Sequence, residues 1–183
     1  LETISSKSRE AFKSALTKDN RIDNQLLELN QSKTHGYAWF DTYRIGLRET
    51  YNWYTTLVEA NKLSGIDANI LIYSFAEYLS QMKNGIMISQ TEMVRNNDLG
   101  LNDDDFGFLE NDDIKEIISV GLSNKLKKQI VDSLENGIFP SLGLNDETLE
   151  MIQEQFRKFS EEEIIPYANE WHLKDDLIPD ETL

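Results

Sequence analysis

The stretch Phe40-Asp41-Thr42-Tyr43-Arg44-Ile45-Gly46-Leu47-Arg48-Glu49-Thr50-Tyr51-Asn52-Trp53-Tyr54-Thr55-Thr56-Leu57 decides the fold. Phe40, Tyr43, Leu47, Tyr51, Tyr54 and Leu57 recur at intervals of three and four. That period marks one face of an α-helix, not the two-residue alternation of a half-buried strand. Ile22, Leu26 and Leu29 extend the pattern upstream. The spacing therefore predicts a long helix over about 22–62, interrupted near Lys33–Gly36, where Ser32 or Thr34 can cap a fresh start. Ser64-Gly65 is expected to end it.

The same period runs outward in both directions. Residues 2–17 carry Ile4, Phe12, Ala15 and Leu16 on a rough helical face. Asp67 is expected to cap a helix over 67–83, with Ile70, Leu71, Phe75, Tyr78, Leu79 and Met82 apolar and Asn84-Gly85 as its stop. Residues 86–111 break the pattern and read as loop, apart from the brief apolar run Ile86-Met87-Ile88. Asp112 or Asp113 is expected to cap a helix that continues through Leu134, either unbroken or as two helices joined at Gly121-Leu122-Ser123. Asn136-Gly137 and Pro140-Ser141-Leu142-Gly143 form a linker. Asn145 or Asp146 then caps a final helix with Leu149, Ile152, Phe156, Phe159, Ile164, Ala168 and Trp171. Pro166 must kink or restart it, because proline lacks an N–H and clashes with the preceding turn. Pro179 is placed to open another helix. Ile86–Ile88 and Ile164–Ile165 are too short to build a sheet. The fold class expected is all-α: a helical bundle over 1–135, a linker over 136–143 and a further helical segment over 144–183.

Composition narrows the function classes. The 183 residues hold 33 acids against 18 bases, for a net charge of −15. Nucleic acid and anionic membrane surfaces both demand basic residues, so both are excluded as partners. With no cysteine, disulfides, Cys-ligated zinc and thiol catalysis are excluded too. No uncharged run approaches the ~20 residues of a membrane span. No signal-peptide pattern is present, and the cytoplasm is the expected compartment.

The acidity is local. Asp98, Asp103, Asp104, Asp105, Glu110, Asp112, Asp113 and Glu116 face one base, Lys115, within 96–116. Glu161, Glu162, Glu163, Glu170, Asp175, Asp176, Asp180 and Glu181 face one base, Lys174, within 160–183. Each block has a net charge of −7. Such runs are expected to be solvated loops or helix N-termini, with nothing to perturb their carboxyl groups.

No residue pattern identifies an active site, and no catalytic, cofactor-binding or metal-ligating residue is assigned. Asn102-Asp103-Asp104-Asp105-Phe106-Gly107 superficially suggests a calcium loop. Aligned on Gly107, it puts Phe106 where an oxygen ligand belongs and Asp113 where a bidentate Glu belongs, so an acidic surface loop is the better reading. His172 beside Trp171, and His35-Gly36, lack an identifiable nucleophile or orienting partner and read as helix-end or turn residues. The aromatics Tyr37, Trp39, Phe40, Tyr43, Tyr51, Trp53 and Tyr54 read as core or interface by their helical spacing. The phosphate-binding glycine loops, the nucleophile elbow and the metalloprotease motif are absent. Ser89, Gln90 and Arg95, in the loop after the Gly85 stop, are candidates for polar contact with a substrate entrance or a subunit interface. An ordinary connecting loop is the plainer alternative.

Two regions carry a family resemblance. The first is Leu144-Asn145-Asp146-Glu147-Thr148-Leu149-Glu150-Met151-Ile152, Phe156-Arg157-Lys158-Phe159, Glu163-Ile164-Ile165-Pro166-Tyr167-Ala168, Glu170-Trp171-His172 and Leu177-Ile178-Pro179. It resembles the opening helix of the acyl-CoA dehydrogenase family: an amphipathic helix, an in-helix proline after a run of acids, a short loop and a second helix near a proline. The second is His35-Gly36-Tyr37-Ala38-Trp39, Glu77-Tyr78-Leu79, Gly85-Ile86-Met87-Ile88-Ser89-Gln90 and Glu92-Met93-Val94-Arg95. It resembles the N-terminal extension of the (2S)-methylsuccinyl-CoA dehydrogenases, except that Met87 stands where that group usually has proline. Together the two regions touch a little under half of the chain.

The resemblance implies the non-catalytic front of an FAD-dependent enzyme that oxidises a short branched acyl-CoA to its 2,3-enoyl form. In that family a glutamate takes the α-proton, flavin N5 accepts the β-hydride, and an electron-transferring flavoprotein reoxidises the flavin. The machinery lies in a middle β-domain and a C-terminal helical domain, so FAD is expected in the parent enzyme and not on this segment, which alone is expected to be inactive. The acyl-CoA substrate, the flavoprotein and a homo-oligomeric assembly are the partners implied. The chain begins at Leu1, not Met, and stops four residues after Pro179, so it is expected to be the front of something longer. The competing readings are a stand-alone acidic helical module that binds a basic protein and, more remotely, a calcium-responsive module.

Overall fold

The computed structural model describes residues 1–144 and 146–179. They divide into two compact units, Leu1–Ser141 and a second beginning at Leu142. Eight α-helices are described, with only two short antiparallel strand pairs, and the chain is all-α.

In the first unit, α1 (Glu2–Leu16) is followed by a tight hairpin of β1 (Thr17–Lys18) and β2 (Arg21–Ile22). Asp19 and Asn20 turn it with positive φ, a conformation Asp and Asn tolerate better than other side chains. Asp23 caps α2 (Asn24–Leu29) by accepting from the N–H groups of Gln25 and Leu26. The long helix α3 (Gln31–Glu59) starts straight after Asn30. The break thus lies upstream of the expected Lys33–Gly36. Thr34 is inside the helix and donates its hydroxyl to the Asn30 and Gln31 carbonyls instead of capping.

Helix α4 (Gly65–Asn84) opens two residues earlier than the spacing suggests. Ser64 is its cap, not the end of the previous helix. Asp67 sits three residues further on and accepts from the Ser64 N–H and hydroxyl, which ties the residue before the helix to its first turn. Gly85, with φ of 116°, stops α4 as expected. Then β3 (Ile86–Met87) pairs with β4 (Met93–Val94), so the apolar run at 86–88 does begin a strand, if only a two-residue one. Two 3-10 segments, Asn96–Leu99 and Asp103–Glu110, lead to α5 (Asp112–Gly121). Asn111, not Asp112 or Asp113, caps α5 through its side-chain oxygen. Ser123 caps α6 (Asn124–Glu135), so the pattern over 112–135 resolves into two helices.

Helix α4 packs against α3, α5 and α6. Phe40, Leu47, Leu79, Met82, Ile86, Val94, Leu99, Phe106 and Leu109 form the core with Ile4 and Leu101. Phe40 meets Phe106 edge to face, with centroids 6.4 Å apart, the arrangement ring quadrupoles favour. Each fully buried Leu or Phe contributes about 1.5–3 kcal/mol of burial energy. Gly121 lets α5 approach α4 closely: a Cβ there would lie 2.3 Å from the Cβ of Ala76 and 2.8 Å from the Ile72 carbonyl.

Asp67 does more than open α4. Fully buried, it also accepts from the Ser141 N–H at 2.9 Å. Trp53 donates its indole N–H to the Ser141 carbonyl at 2.8 Å. The segment after Gly137 is thereby pinned to α3 and α4 through backbone groups of one residue.

In the second unit, Asp146 caps α7 (Glu147–Phe159) by accepting from Thr148 and Leu149; Asn145, the other cap candidate, lies outside the described residues. A π-turn at Ser160–Ile164 separates α7 from α8 (Ile165–Lys174). Pro166 causes this, since it cannot donate to the turn below it. The Ile165 N–H reaches Ser160 instead, five residues back. Leu149, Ile152, Phe156 and Phe159 remain 40–69% exposed. The residues that would follow Pro179 in a further helix lie outside the described ones.

Candidate functional site

The two motif segments that lie far apart in sequence, His35–Trp39 and Gly85–Arg95, meet in space. Gly36 is buried on α3, and a Cβ there would lie 2.6 and 2.8 Å from the two methyl carbons of Val94. Only a residue without a side chain lets β4 lie this close to the helix. Gly85, at the same open end of the hairpin as Val94, has the positive φ that lets the chain leave α4 and turn into β3.

The hairpin turn is closed by its own polar groups. The Ile88 and Ser89 N–H groups donate to the Glu92 carbonyl at 2.9 and 3.2 Å. The Ser89 hydroxyl accepts from the N–H groups of Thr91 and Glu92 at 3.3 and 3.1 Å. Ser89 is therefore committed to the turn as an ST-type motif. Gln90 is exposed at the tip. Arg95 is exposed at the base of the hairpin. Its backbone N–H donates to Asp98 at 3.0 Å, while its side chain lines an open groove with Ser32, Lys33, Met93 and Asp98. Ser89 and Gln90 thus share the turn, and Arg95 stands apart from them at its base.

On α3, the Trp39 indole donates to His35 Nε2 at 3.0 Å, and His35 Nδ1 lies 3.3 Å from Glu92 Oε1. Further along the helix Trp39 meets Tyr43 edge to face, and Tyr43 lies on Tyr78 with centroids 4.5 Å apart. The Tyr43 hydroxyl donates to Gln81. Its phenol is held above the usual range, first by burial and then by Tyr78 and Glu77. Tyr37 meets Phe12 of α1. The aromatic series therefore serves packing for the most part, with Trp39 and Tyr51 left 36% and 54% exposed.

The carboxylates in the acidic runs are less passive than solvation alone suggests. Lys83 and Lys115 hold Glu110 down to about 2, through hydrogen bonds first and charge second. Lys7 and the Asn102 backbone hold Asp105 below the usual carboxylate range. That pairing joins the calcium-like loop to α1, with Lys7 Nζ 2.7 Å from each Asp105 oxygen. In the second unit, Glu154 and Glu170 are lowered by Arg157 and Lys174. Away from the runs, Asp41 is lowered chiefly by its hydrogen bond to Arg44, with Ser5 adding to it against an opposing burial cost. His172 is exposed at the end of α8, next to a stacked Trp171–Tyr167 pair.

Among the described residues, no group of three or more His, Cys, Asp or Glu side chains converges as a metal site. No described helix is long and apolar enough to cross a membrane. The described cavities are open clefts of about 180–470 Å³. The widest is lined by Glu10, Lys13, Ser14, Thr17, Asp19 and Asn20. None of these described clefts is the enclosed apolar slot that a flavin ring needs. The contacts of Glu92, Trp39 and Asp67 leave no periodic trace. Only the four-residue spacing of His35 and Trp39 hints at the first pair.

No family model matches the chain. It is 34% identical, over 98% of its length, to the (2S)-methylsuccinyl-CoA dehydrogenase of Cereibacter sphaeroides. The chain spans 32% of the length of that protein. The likeness carried by the motifs thus extends along nearly the whole chain, and what the chain resembles is one third of an acyl-CoA dehydrogenase.

Proposed function

We propose that this chain is the N-terminal, non-catalytic portion of an FAD-dependent acyl-CoA dehydrogenase. The parent enzyme oxidises a short branched acyl-CoA such as methylsuccinyl-CoA to the 2,3-enoyl-CoA. The observation that carries this reading is the 34% identity across 98% of the chain to an enzyme three times as long. Residues 1–135 are then the extension, 136–143 the linker, and 144–183 the start of the catalytic helical domain. FAD, the acyl-CoA and an electron-transferring flavoprotein are held by the remainder of a homo-oligomeric cytoplasmic enzyme. No chemical step is assigned to the residues of this chain. What they supply is a rigid helical body with a hairpin locked to α3, whose Ser89, Gln90 and Arg95 face a substrate entrance or subunit interface.

The reading as an acidic module for a basic partner is weaker. Asp105 and Glu110, in its first block, are already neutralised by Lys7, Lys83 and Lys115 within the chain. The test is the reading frame beyond Leu183 together with the colour of two proteins. The reading expects a β-rich and then helical continuation, a yellow full-length product and a colourless 183-residue chain. A frame that stops at Leu183 overturns it.

A further inference from the structure

Trp39, His35 and Glu92 form a chain of two hydrogen bonds that runs from α3 to the hairpin turn. An indole N–H can only donate. His35 Nε2 must therefore accept, which puts the proton of the neutral ring on Nδ1, facing the Glu92 carboxylate. The partners fix the tautomer. A second proton removes the Nε2 lone pair, so that two N–H groups face each other across 3.0 Å and the Trp39 bond is lost. The same proton turns the Nδ1–H···Glu92 bond into a charge-assisted one, which is shorter and stronger.

We propose that this triad is a protonation-responsive clasp: charging His35 releases the Trp39 indole and tightens the hairpin onto α3. The ring is half exposed, so solvent protons reach it directly. Glu92 is well placed to transmit the change, because its own carbonyl and N–H close the hairpin turn. Other charged groups lie on or near this part of α3. Asp41 is bound by Arg44 and Ser5. Lys33 lines the groove with Arg95 and Asp98. Helix α1 reaches α3 through Phe12 on Tyr37, and its Arg9 acts on Asp41. From α4, Glu77 accepts from Gln81, two helical turns further along. The clasp is independent of the proposed dehydrogenase role and does not stand or fall with it.

Nitrogen-15 NMR of the ring and indole groups tests it, together with amide exchange corrected for intrinsic rates, at pH 8 and pH 5. At pH 8 His35 is expected with its proton on Nδ1. On acidification the Trp39 indole resonance should move in step with the His35 nitrogens, and His35→Gln should abolish that movement. Protection of the Ile88 and Ser89 amides should rise about two- to fivefold at pH 5, the range an exposed ion pair supports. Glu92→Gln, which leaves the backbone bonds of the turn in place, should cancel that rise while the Trp39 shift persists. A proton on Nε2 at pH 8, a Trp39 resonance indifferent to the charge on His35, or an equal rise in Glu92→Gln would overturn the proposal.

Discussion

Val94 fills the space that a side chain at position 36 would occupy. The missing Cβ of Gly36 would lie 2.6 Å from Val94 Cγ2. Val94 is buried and stiff at χ1, so it cannot swing aside. Gly36→Ala should therefore cost about 1–3 kcal/mol, the range for overpacking a core contact, and not gain the helix propensity that alanine usually brings. Urea unfolding of the variant checks this. Pairing Gly36→Ala with Val94→Ala should recover part of the loss, and a stabilised single variant would refute the contact.

Gly121 makes the same argument between α5 and α4. A Cβ there overlaps Ala76 and the Ile72 carbonyl, which is backbone and cannot give way. Gly121→Ala should destabilise by about 1–3 kcal/mol. Gly46, with nothing within 4 Å of its absent side chain on the same long helix, is the control. Gly46→Ala should stabilise by up to about 1 kcal/mol. Thermal unfolding of the two variants should shift in opposite directions.

Asp67 holds Ser64 and Ser141 at once, with both oxygens engaged and the carboxylate fully buried. Asp67→Asn keeps the shape but points an amide N–H at one of those donors. It should cost about 1–3 kcal/mol, the penalty of an unsatisfied buried group. Trp53→Phe, which removes only the donor to the Ser141 carbonyl, should cost less. Limited proteolysis after Gly137 should accelerate in both variants.

The paired carboxylates set the acid limb of stability. Glu110 is held at about 2 in the folded state, against about 4.3 for a free glutamate. A group whose folded value is depressed stabilises above its unfolded value and loses that contribution as pH falls through the folded one. Asp41 and Asp105 are lowered in the same direction by Arg44 and Lys7. Stability should thus decline from about pH 5 downward as these pairs are protonated. Glu110→Gln should flatten part of that decline. Because Glu110 is exposed, its share should shrink in 1 M salt, whereas the less exposed Asp41–Arg44 pair should persist. Urea midpoints between pH 7 and pH 3 at two salt concentrations provide the check.

Helix type was legible in the sequence because it depends on periodicity over many residues. The series Phe40 to Leu57 placed α3 directly, and Gly85 and Pro166 marked real breaks. Helix ends were harder to read, because several polar residues compete for each cap. Ser64 looked like a stop and is a start, and Asn111 caps α5 although two aspartates follow it. The hairpin was invisible to pattern reading, since two-residue strands carry no alternation to detect. Its docking depends on Gly36 and Val94, 58 positions apart, and no local spacing links residues so far apart in the chain. The acidic runs misled in one respect. Their charges looked unpaired because Lys7 and Lys83, which neutralise Asp105 and Glu110, come from outside the runs.

The proposed role, as the front of a longer flavin enzyme that oxidises an acyl-CoA, is tested on the whole protein. The most direct measurement is methylsuccinyl-CoA oxidation by the purified full-length protein, followed by reduction of an electron acceptor and by product mass. The expected result is a yellow protein that yields a product two hydrogens lighter, with no turnover by the 183-residue chain alone. A full-length protein without flavin absorbance, which leaves every short branched acyl-CoA unchanged, would contradict it.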